Sequence, residues 1–410
     1  MLSLKKENMD KMAISELKRY RLRMQIMSLL YKKTMQSASA LSKKTHVSLP
    51  TVRSILDDLM IENIVRESGT GDSIGGRKPT IYSLSEDAYY ILAVELGHYK
   101  AKAVLYNSLN KEVGQIFEFK TNIDDPQLEE RIEEALLKLL AESQLSKEKI
   151  TAIGVSMPGL IDSEKGMNQT IKDQQARNIR ERLTRYFNIR TYIENDARMQ
   201  ALGEFVFGKA KNTSNTAVLN WNWGLGLGII LNGEIYRGSN GCAGELSHIR
   251  VIENGALCEC GKRGCLQTIA SAQSLLDLAR EEVSKGTVSR LTSTFAQNPQ
   301  DMLPIDIVNS AKKGDELSIS LLGKISTKLA WGLSILIQLY NPELIVLNGP
   351  LTKANQYILI PIRQALNQYC LENISEKVRI EISEMGESSG LNGVAVMVFQ
   401  KIFRDKSADV

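Results

Sequence analysis

Cys258-Glu259-Cys260-Gly261-Lys262-Arg263-Gly264-Cys265-Leu266-Gln267 puts three thiols within eight residues, and His248 stands ten residues upstream. Zinc takes four thiolate or imidazole ligands in a tetrahedron. Cys258, Cys260 and Cys265 supply three corners, Gly261 and Gly264 permit the tight loop, and His248 is the natural fourth. Four protein ligands leave no open position, so the expected zinc is structural rather than catalytic. Cys242 and Cys370 stand alone. In a cytosolic chain, one such cluster fits a metal better than disulfides. The competing reading is three buried cysteines gathered by composition alone.

Upstream of that loop, Thr216 to Trp223 and Gly228 to Leu231 read as strand, glycine turn and strand, followed by Asn232-Gly233 in a turn. The same theme occurs earlier. Ile91 to Leu96 and Ala101 to Tyr106 form a hairpin turning at Gly97, followed by a helix over 127–142 and an apolar strand from Ile150 to Ser156. Two glycine-turned hairpins, each introducing an α/β half, predict a duplicated two-lobed α/β fold with a ligand in its cleft.

Four segments in order carry a resemblance to a known family. Gly154-Val155-Ser156-Met157-Pro158-Gly159-Leu160-Ile161-Asp162 resembles the G-x-x-x-P-G-x-x-D signature of the ROK family (repressors, open reading frames, kinases). Glu194-Asn195-Asp196-Ala197 resembles its E-N-D-A motif, and residues 238–248 resemble G-x-x-G-x-A-G-E-x-x-H. The cysteine loop resembles C-x-C-G-x-x-G-C-L-E, with Gln267 where the family carries glutamate. The resemblance spans residues 90–400 and implies an actin-like, ribonuclease H-like sugar-kinase frame. It assigns His248, Cys258, Cys260 and Cys265 to zinc, which would hold His248 and Glu245 against a sugar. Asn195, Asp196, Glu245, His248 and Gln267 are the implied sugar contacts. Their planar polar groups suit hydroxyls, which both donate and accept. Asn195 and Asp196 also fit a plain helix cap.

In the family's kinases the residue matching Asp196 is the general base, so here Asp196 reads as a vestigial base. The kinase D-x-G-x-T pattern falls on Glu95-Leu96-Gly97-His98-Tyr99, and G-T-G-x-G falls on Asn222-Trp223-Gly224-Leu225-Gly226. An aspartate and two phosphate-binding threonines are missing, while phosphoryl transfer needs hydroxyls and amides around the phosphates. Trp223 either fills the γ-phosphate space or points away into the core. We therefore expect sugar binding without catalysis. The alternative is an ATP-dependent, glucokinase-like sugar kinase that also carries a DNA-binding domain.

Residues 1–82 hold 15 Lys and Arg against 8 Asp and Glu, a balance of +7, while the remainder sums to −3. A basic leading segment on a mildly acidic chain is the footprint of a nucleic-acid-binding module. Leu22, Ile26, Leu29 and Leu30 mark one helix, Ser37 to Lys44 a second, and Thr45-His46-Val47-Ser48 a turn. Ser48 caps a third helix, with Pro50 tolerated in its first turn. Val52, Ile55, Leu56 and Leu59 give that helix a buried face, and Thr51, Arg53 and Ser54 face outward, suited to base edges in a major groove. Ile64 to Glu67 and Thr80 to Leu84 read as a hairpin wing. Its Gly75-Gly76-Arg77-Lys78-Pro79 tip is suited to a minor groove through Arg77 and Lys78. A three-helix scaffold for protein contacts is the alternative.

The chain is 43% apolar and 24% charged over 410 residues. No run approaches ~18 consecutive apolar residues, and Met1 to Lys6 lack a signal-peptide core, so the expectation is cytoplasmic with no membrane partner. The expected domains are a winged helix-turn-helix over 1–86 and a sugar-binding domain over 87–410. Within the latter, lobe 1 covers about 87–200 plus a C-terminal helix at 390–405, and lobe 2 covers about 201–389. The expected function is a sugar-responsive transcriptional repressor of carbohydrate metabolism genes. Its partners are a double-stranded DNA operator and a small sugar or sugar phosphate, whose binding in the lobe cleft releases DNA. A homodimer or homotetramer follows from the two-fold habit of helix-turn-helix proteins. The apolar stretch Leu329 to Ile337 is either a core helix or part of that interface.

Overall fold

The computed structural model describes residues 13–71, 78–121, 125–171 and 178–404. Contacts divide the chain into two compact units. One comprises the described residues of Met1–Met157, Ser163–Ile193 and Val394–Val410; the other comprises Pro158–Asp162 and Glu194–Gly393.

Among its described residues the first unit opens with α1 (Ile14–Lys32), β1 (Gln36–Ser37), α2 (Ala38–Thr45) and α3 (Leu49–Ile61), then β2 (Val65–Thr70) and β3 (Thr80–Leu84). Side-chain caps start the second and third helices. Ser37 Oγ accepts the Ala40 N–H and Ser48 Oγ accepts the Thr51 N–H, which satisfies otherwise orphaned donors. Val52, Ile55, Leu56 and Leu59 are buried, as are Met24, Ile26, Met27 and Leu30 on α1 and Leu41 on α2. The three strands pair in the order β1-β3-β2. The helix-turn-helix and the two antiparallel strands of the expected wing are therefore present, the tip at 72–77 lying outside the described residues, together with a short strand, β1, that the sequence reading had not placed.

The same unit continues with β4 (Tyr90–Leu96), β5 (Lys100–Asn107), β6 (Glu112–Lys120), α4 (Leu128–Ser143), β7 (Ile150–Met157), α5 (Ile179–Phe187) and β8 (Thr191–Asn195), whose last two residues lie in the second unit. Their sheet runs β8-β7-β4-β5-β6. The β4–β5 and β5–β6 pairs are antiparallel, and β4–β7 is parallel. Gly97 does turn the first hairpin, its N–H donating to Lys100 O at 2.9 Å.

The second unit begins its main segment at Glu194 with α6 (Asp196–Phe207), followed by β9 (Thr216–Trp221), β10 (Leu225–Leu231) and β11 (Glu234–Ile235). Helices α7 (Ala272–Ser284), α8 (Pro304–Lys312) and α9 (Glu316–Tyr340) follow, then β12 (Leu344–Asn348), α10 (Gln356–Tyr369), β13 (Arg379–Ile382) and α11 (Ser389–Arg404), which passes into the first unit at Val394. The hairpin turns at 222–224, so β9 stops earlier and β10 starts earlier than the sequence reading placed them. The sheet order is β11-β10-β9-β12-β13, with β9–β10 antiparallel and β9–β12 parallel. That repeats the pattern of the first sheet, which is the expected duplication.

Helix α9 is long and apolar enough to cross a membrane by length and composition, yet 56% of its most apolar window is buried within the protein. Leu329, Ala330, Leu333 and Ile337 lie in the core, so the stretch at 329–337 is a core helix, although Trp331 remains 37% exposed. Gly332 makes room on this helix. A Cβ there would meet Leu266 Cδ2 at 2.2 Å, so its absence lets the cysteine loop lie directly on α9.

Candidate functional site

The cysteine loop is folded by backbone pairing. Cys258 N–H donates to Lys262 O at 2.8 Å and Gly261 N–H to Cys258 O at 2.9 Å. Val251 N–H donates to Gly264 O at 2.8 Å and Leu266 N–H to Ile249 O at 2.9 Å, which draws His248 alongside Cys265. Gly264 has φ +76°, and a Cβ there would lie 1.8 Å from Ile252 O. Only glycine fits. The indole of Trp221, fully buried, donates to Ala270 O at 2.7 Å and pins the short helix Gln267–Ala270 that follows.

The ligand atoms of His248, Cys258, Cys260 and Cys265 all lie within 4.8 Å of one another. Cys258 Sγ is 3.7 Å from His248 Nδ1 and Cys260 Sγ is 3.6 Å from Cys265 Sγ. A tetrahedral ion with metal–sulfur bonds of ~2.3 Å requires sulfur–sulfur separations of about 3.8 Å, so the donor set fits a metal ion. His248 turns its other nitrogen away from the thiols, with Nε2 3.9 Å from Glu245 Oε2. One imidazole thus lies between the thiols and a carboxylate.

Asn195 and Asp196 start α6. Asn195 Oδ1 accepts the Arg198 N–H at 3.1 Å, so the capping role is real. Its Nδ2 donates to Gly159 O at 3.1 Å and Asp196 Oδ1 at 3.2 Å, which ties the Pro-Gly loop to the helix start. Burial pushes the Asp196 carboxyl up to about 6, against the Ala197 N–H, its own N–H and Arg198, while Glu245 adds to the rise. A carboxylate poised there can accept a hydroxyl proton or simply hydrogen-bond it.

Beneath this surface lies a network that sequence reasoning missed. Glu194 is 1% exposed and accepts Arg198 Nε at 2.8 Å, the Asn195 N–H at 2.9 Å and Arg237 Nε at 3.0 Å. Burial alone would raise its pKa, but the two guanidiniums outweigh it and hold the carboxyl below its ordinary range. Arg198, itself buried, also donates to Gly241 O, and to Ile161 O at 3.3 Å. One buried arginine therefore joins the Pro-Gly loop, the helix start and the 238–248 loop. The available signal was an acidic residue in an apolar strand with arginine four residues on.

Gln267 does not stand free. Its Nε2 donates to Cys258 Sγ at 3.2 Å and to Glu259 Oε1 at 2.9 Å. Trp223 sits in the β9–β10 turn with its ring partly buried against the core of the second unit, and its backbone N–H donates to Asn222 Oδ1 at 3.0 Å. In the first unit His98 and Tyr99 occupy the β4–β5 turn, edge to face at 4.4 Å.

On the winged helix, Thr51, Arg53 and Ser54 are exposed on α3, and Lys78 is exposed before β3. Arg77 lies outside the described residues. Two pairs, Arg19–Asp58 and Arg23–Glu62, tie α1 to α3. Arg19 also donates to Ser54 Oγ at 3.2 Å.

The model of the ROK family matches residues 91–401. Among curated relatives, a xylose repressor of Caldicellulosiruptor bescii is 28% identical over 368 residues, covering 88% of this chain and 91% of its own. A glucokinase of Halalkalibacterium halodurans is 30% identical over 320 residues, covering 77% of this chain and 96% of its own. Among solved structures, a ROK family transcriptional regulator described as a homolog of the E. coli MLC protein superposes with a TM-score of 0.80. It is 22% identical and covers 95% of this chain and 98% of its own, a likeness of fold.

Proposed function

Because the chain belongs to the ROK family, we propose that it is a sugar-responsive transcriptional repressor that binds operator DNA through its N-terminal winged helix and releases it on binding a small sugar. The observation that carries this reading is the winged helix itself, a helix-turn-helix and hairpin that end before the family match begins at residue 91. The glucokinase is 96% accounted for by a match covering 77% of this chain, whereas the xylose repressor's match covers 88%.

We assign residues 1–86 to DNA binding, through Thr51, Arg53, Ser54, Arg77 and Lys78, and residues 87–410 to the sugar. In the second unit Asn195, Asp196, Glu245 and His248 are the assigned sugar contacts, with Gln267 beside them. The metal is assigned as a structural zinc on His248, Cys258, Cys260 and Cys265, which fixes the imidazole that faces Glu245. Sugar binding then changes the spacing of paired winged helices in a homodimer or homotetramer, a coupling typically worth ~1–3 kcal/mol. The site of action is the cytoplasm.

A second reading, an ATP-dependent sugar kinase, is favoured by one observation, the Asp196 carboxyl raised towards neutrality at the position of the kinases' base. Against it stand Glu95, Tyr99 and Trp223 in place of the phosphate-binding residues. An ATP-dependent phosphorylation assay over a sugar panel, run beside thermal-shift binding of the same sugars, separates the two. Binding without turnover supports the repressor; steady turnover supports the kinase.

A further inference from the structure

The amide of Gln267 stands between two acceptors. Cys258 Sγ lies 3.2 Å from Nε2 and Glu259 Oε1 lies 2.9 Å from it. A primary amide offers two N–H donors and one carbonyl acceptor. Turned the other way, it would set its carbonyl oxygen against a sulfur and a carboxylate, so only one orientation is satisfied. Both donors are then spent. The remaining oxygen faces the β9–β10 turn, 3.5 Å from where a Cβ on Gly224 would lie.

We propose that Gln267 is a positioning residue of the metal centre: its amide donates one hydrogen bond to the Cys258 thiolate and one to Glu259, and so fixes the sulfur for the ion. This inference rests on the assignment of a metal to His248, Cys258, Cys260 and Cys265. When bound, that ion supplies charge to hold three thiolates together. A hydrogen bond to one thiolate spreads its negative charge and orients its lone pairs, the usual task of groups just outside a metal's ligands. The chain thus uses an amide where a carboxylate would place like charge beside both a thiolate and Glu259. Gln267 meets any sugar hydroxyl only as an acceptor, through its oxygen.

The test uses the full-length chain and cobalt(II) or zinc(II), with chelator competition for affinity and the cobalt–thiolate absorption band for geometry. Gln267→Met keeps the length and removes the donor; Gln267→Glu keeps the length and adds charge. Gln267 is only partly buried at the start of a short helix, so both variants suit the local fold. Both should bind metal about 10–100-fold more weakly and shift the band. If only Gln267→Glu weakens binding, charge repulsion is the whole effect and the donor role is overturned. Wild-type affinity in both variants also overturns it. A variant-free readout is proton–cadmium coupling in cadmium-113-loaded chain. A coupling from the Gln267 amide protons is expected, and its absence contradicts the proposal. Wild-type chain that takes up no metal overturns the metal assignment and this inference together, and leaves the DNA-binding reading to its own assay.

Discussion

Tyr31 and Phe399 meet ring to ring, centroids 5.2 Å apart, where the first helix of the winged module lies on the C-terminal helix. Phe403 adds a second ring 5.6 Å from Tyr31, and the Tyr31 hydroxyl donates to Asn110 Oδ1 at 2.7 Å. The winged helix is therefore fastened to the rest of the first unit by an aromatic cluster and one hydrogen bond. The C-terminal helix that carries Phe399 begins at Ser389, whose hydroxyl accepts from Asn348 Nδ2 at 2.7 Å in the second unit.

Truncating Tyr31 to alanine should cost about 3 kcal/mol, the scale of aromatic deletions from packed sites. Tyr31→Phe should cost about 1 kcal/mol for the lost hydrogen bond. Urea unfolding followed by circular dichroism measures both. Equal losses in the two variants would show that the rings contribute little.

The buried arginine carries a sharper expectation. Arg198→Ala leaves Glu194 buried beside a single remaining guanidinium, and removing one partner of a buried pair costs about 3–5 kcal/mol. The Arg237 side chain is 38% exposed, and Arg237→Ala should cost only about 1 kcal/mol. Denaturant midpoints that rank the two variants in the opposite order would contradict the arrangement described for Glu194.

Asp196 sets a pH dependence whose sign follows from its environment. Its folded carboxyl is raised to about 6 by burial, with Glu245 adding and Arg198 and two backbone N–H groups opposing. Above the ordinary carboxylate range the folded state binds more protons than the unfolded one, so stability falls as pH rises from about 4 to 6. Asp196→Asn should remove that slope and raise stability at pH 7.5 relative to wild type, by at most roughly 3 kcal/mol. The same change should weaken sugar binding at least about tenfold, by loss of a charged acceptor. Thermal melts of both proteins from pH 4 to 8 read the first effect; parallel pH profiles would exclude Asp196 as their source.

Metal removal should act on the sugar site more than on the head. Chelation, or Cys258→Ser, should lower the melting temperature and abolish sugar binding, because His248 loses its anchor at Nδ1. DNA binding should survive. Sugar affinity that is unchanged in metal-free protein would separate the cluster from the site.

How much of this was legible in the residues depended on how far apart the partners lie in sequence. The third helix announced itself because Ser48, Pro50 and the Val52, Ile55, Leu56, Leu59 set act within one or two turns. The cysteine loop was equally local, and His248 followed because only ten residues separate it from Cys258. Strand Gln36–Ser37 carried too few residues for any period. Strand Glu112–Lys120 has mostly exposed side chains, so its alternation was weak. The Glu194–Arg237 pair joins positions 43 residues apart, and nothing in either segment announces the other. Gln267 was visible as an amide in place of a carboxylate, but the direction of that amide depends on a sulfur that only the folded loop supplies.

The central claim, that a sugar governs DNA binding by this chain, is tested most directly by fluorescence anisotropy. The purified, metal-loaded protein is titrated onto genomic fragments it has itself selected, with and without each sugar of a panel. We expect tight, salt-dependent binding to a two-fold symmetric site, weakened at least tenfold by one small sugar and lost in Arg53→Ala. Sequence-specific binding that no sugar relieves, or no specific binding beside steady ATP-dependent sugar phosphorylation, would contradict it.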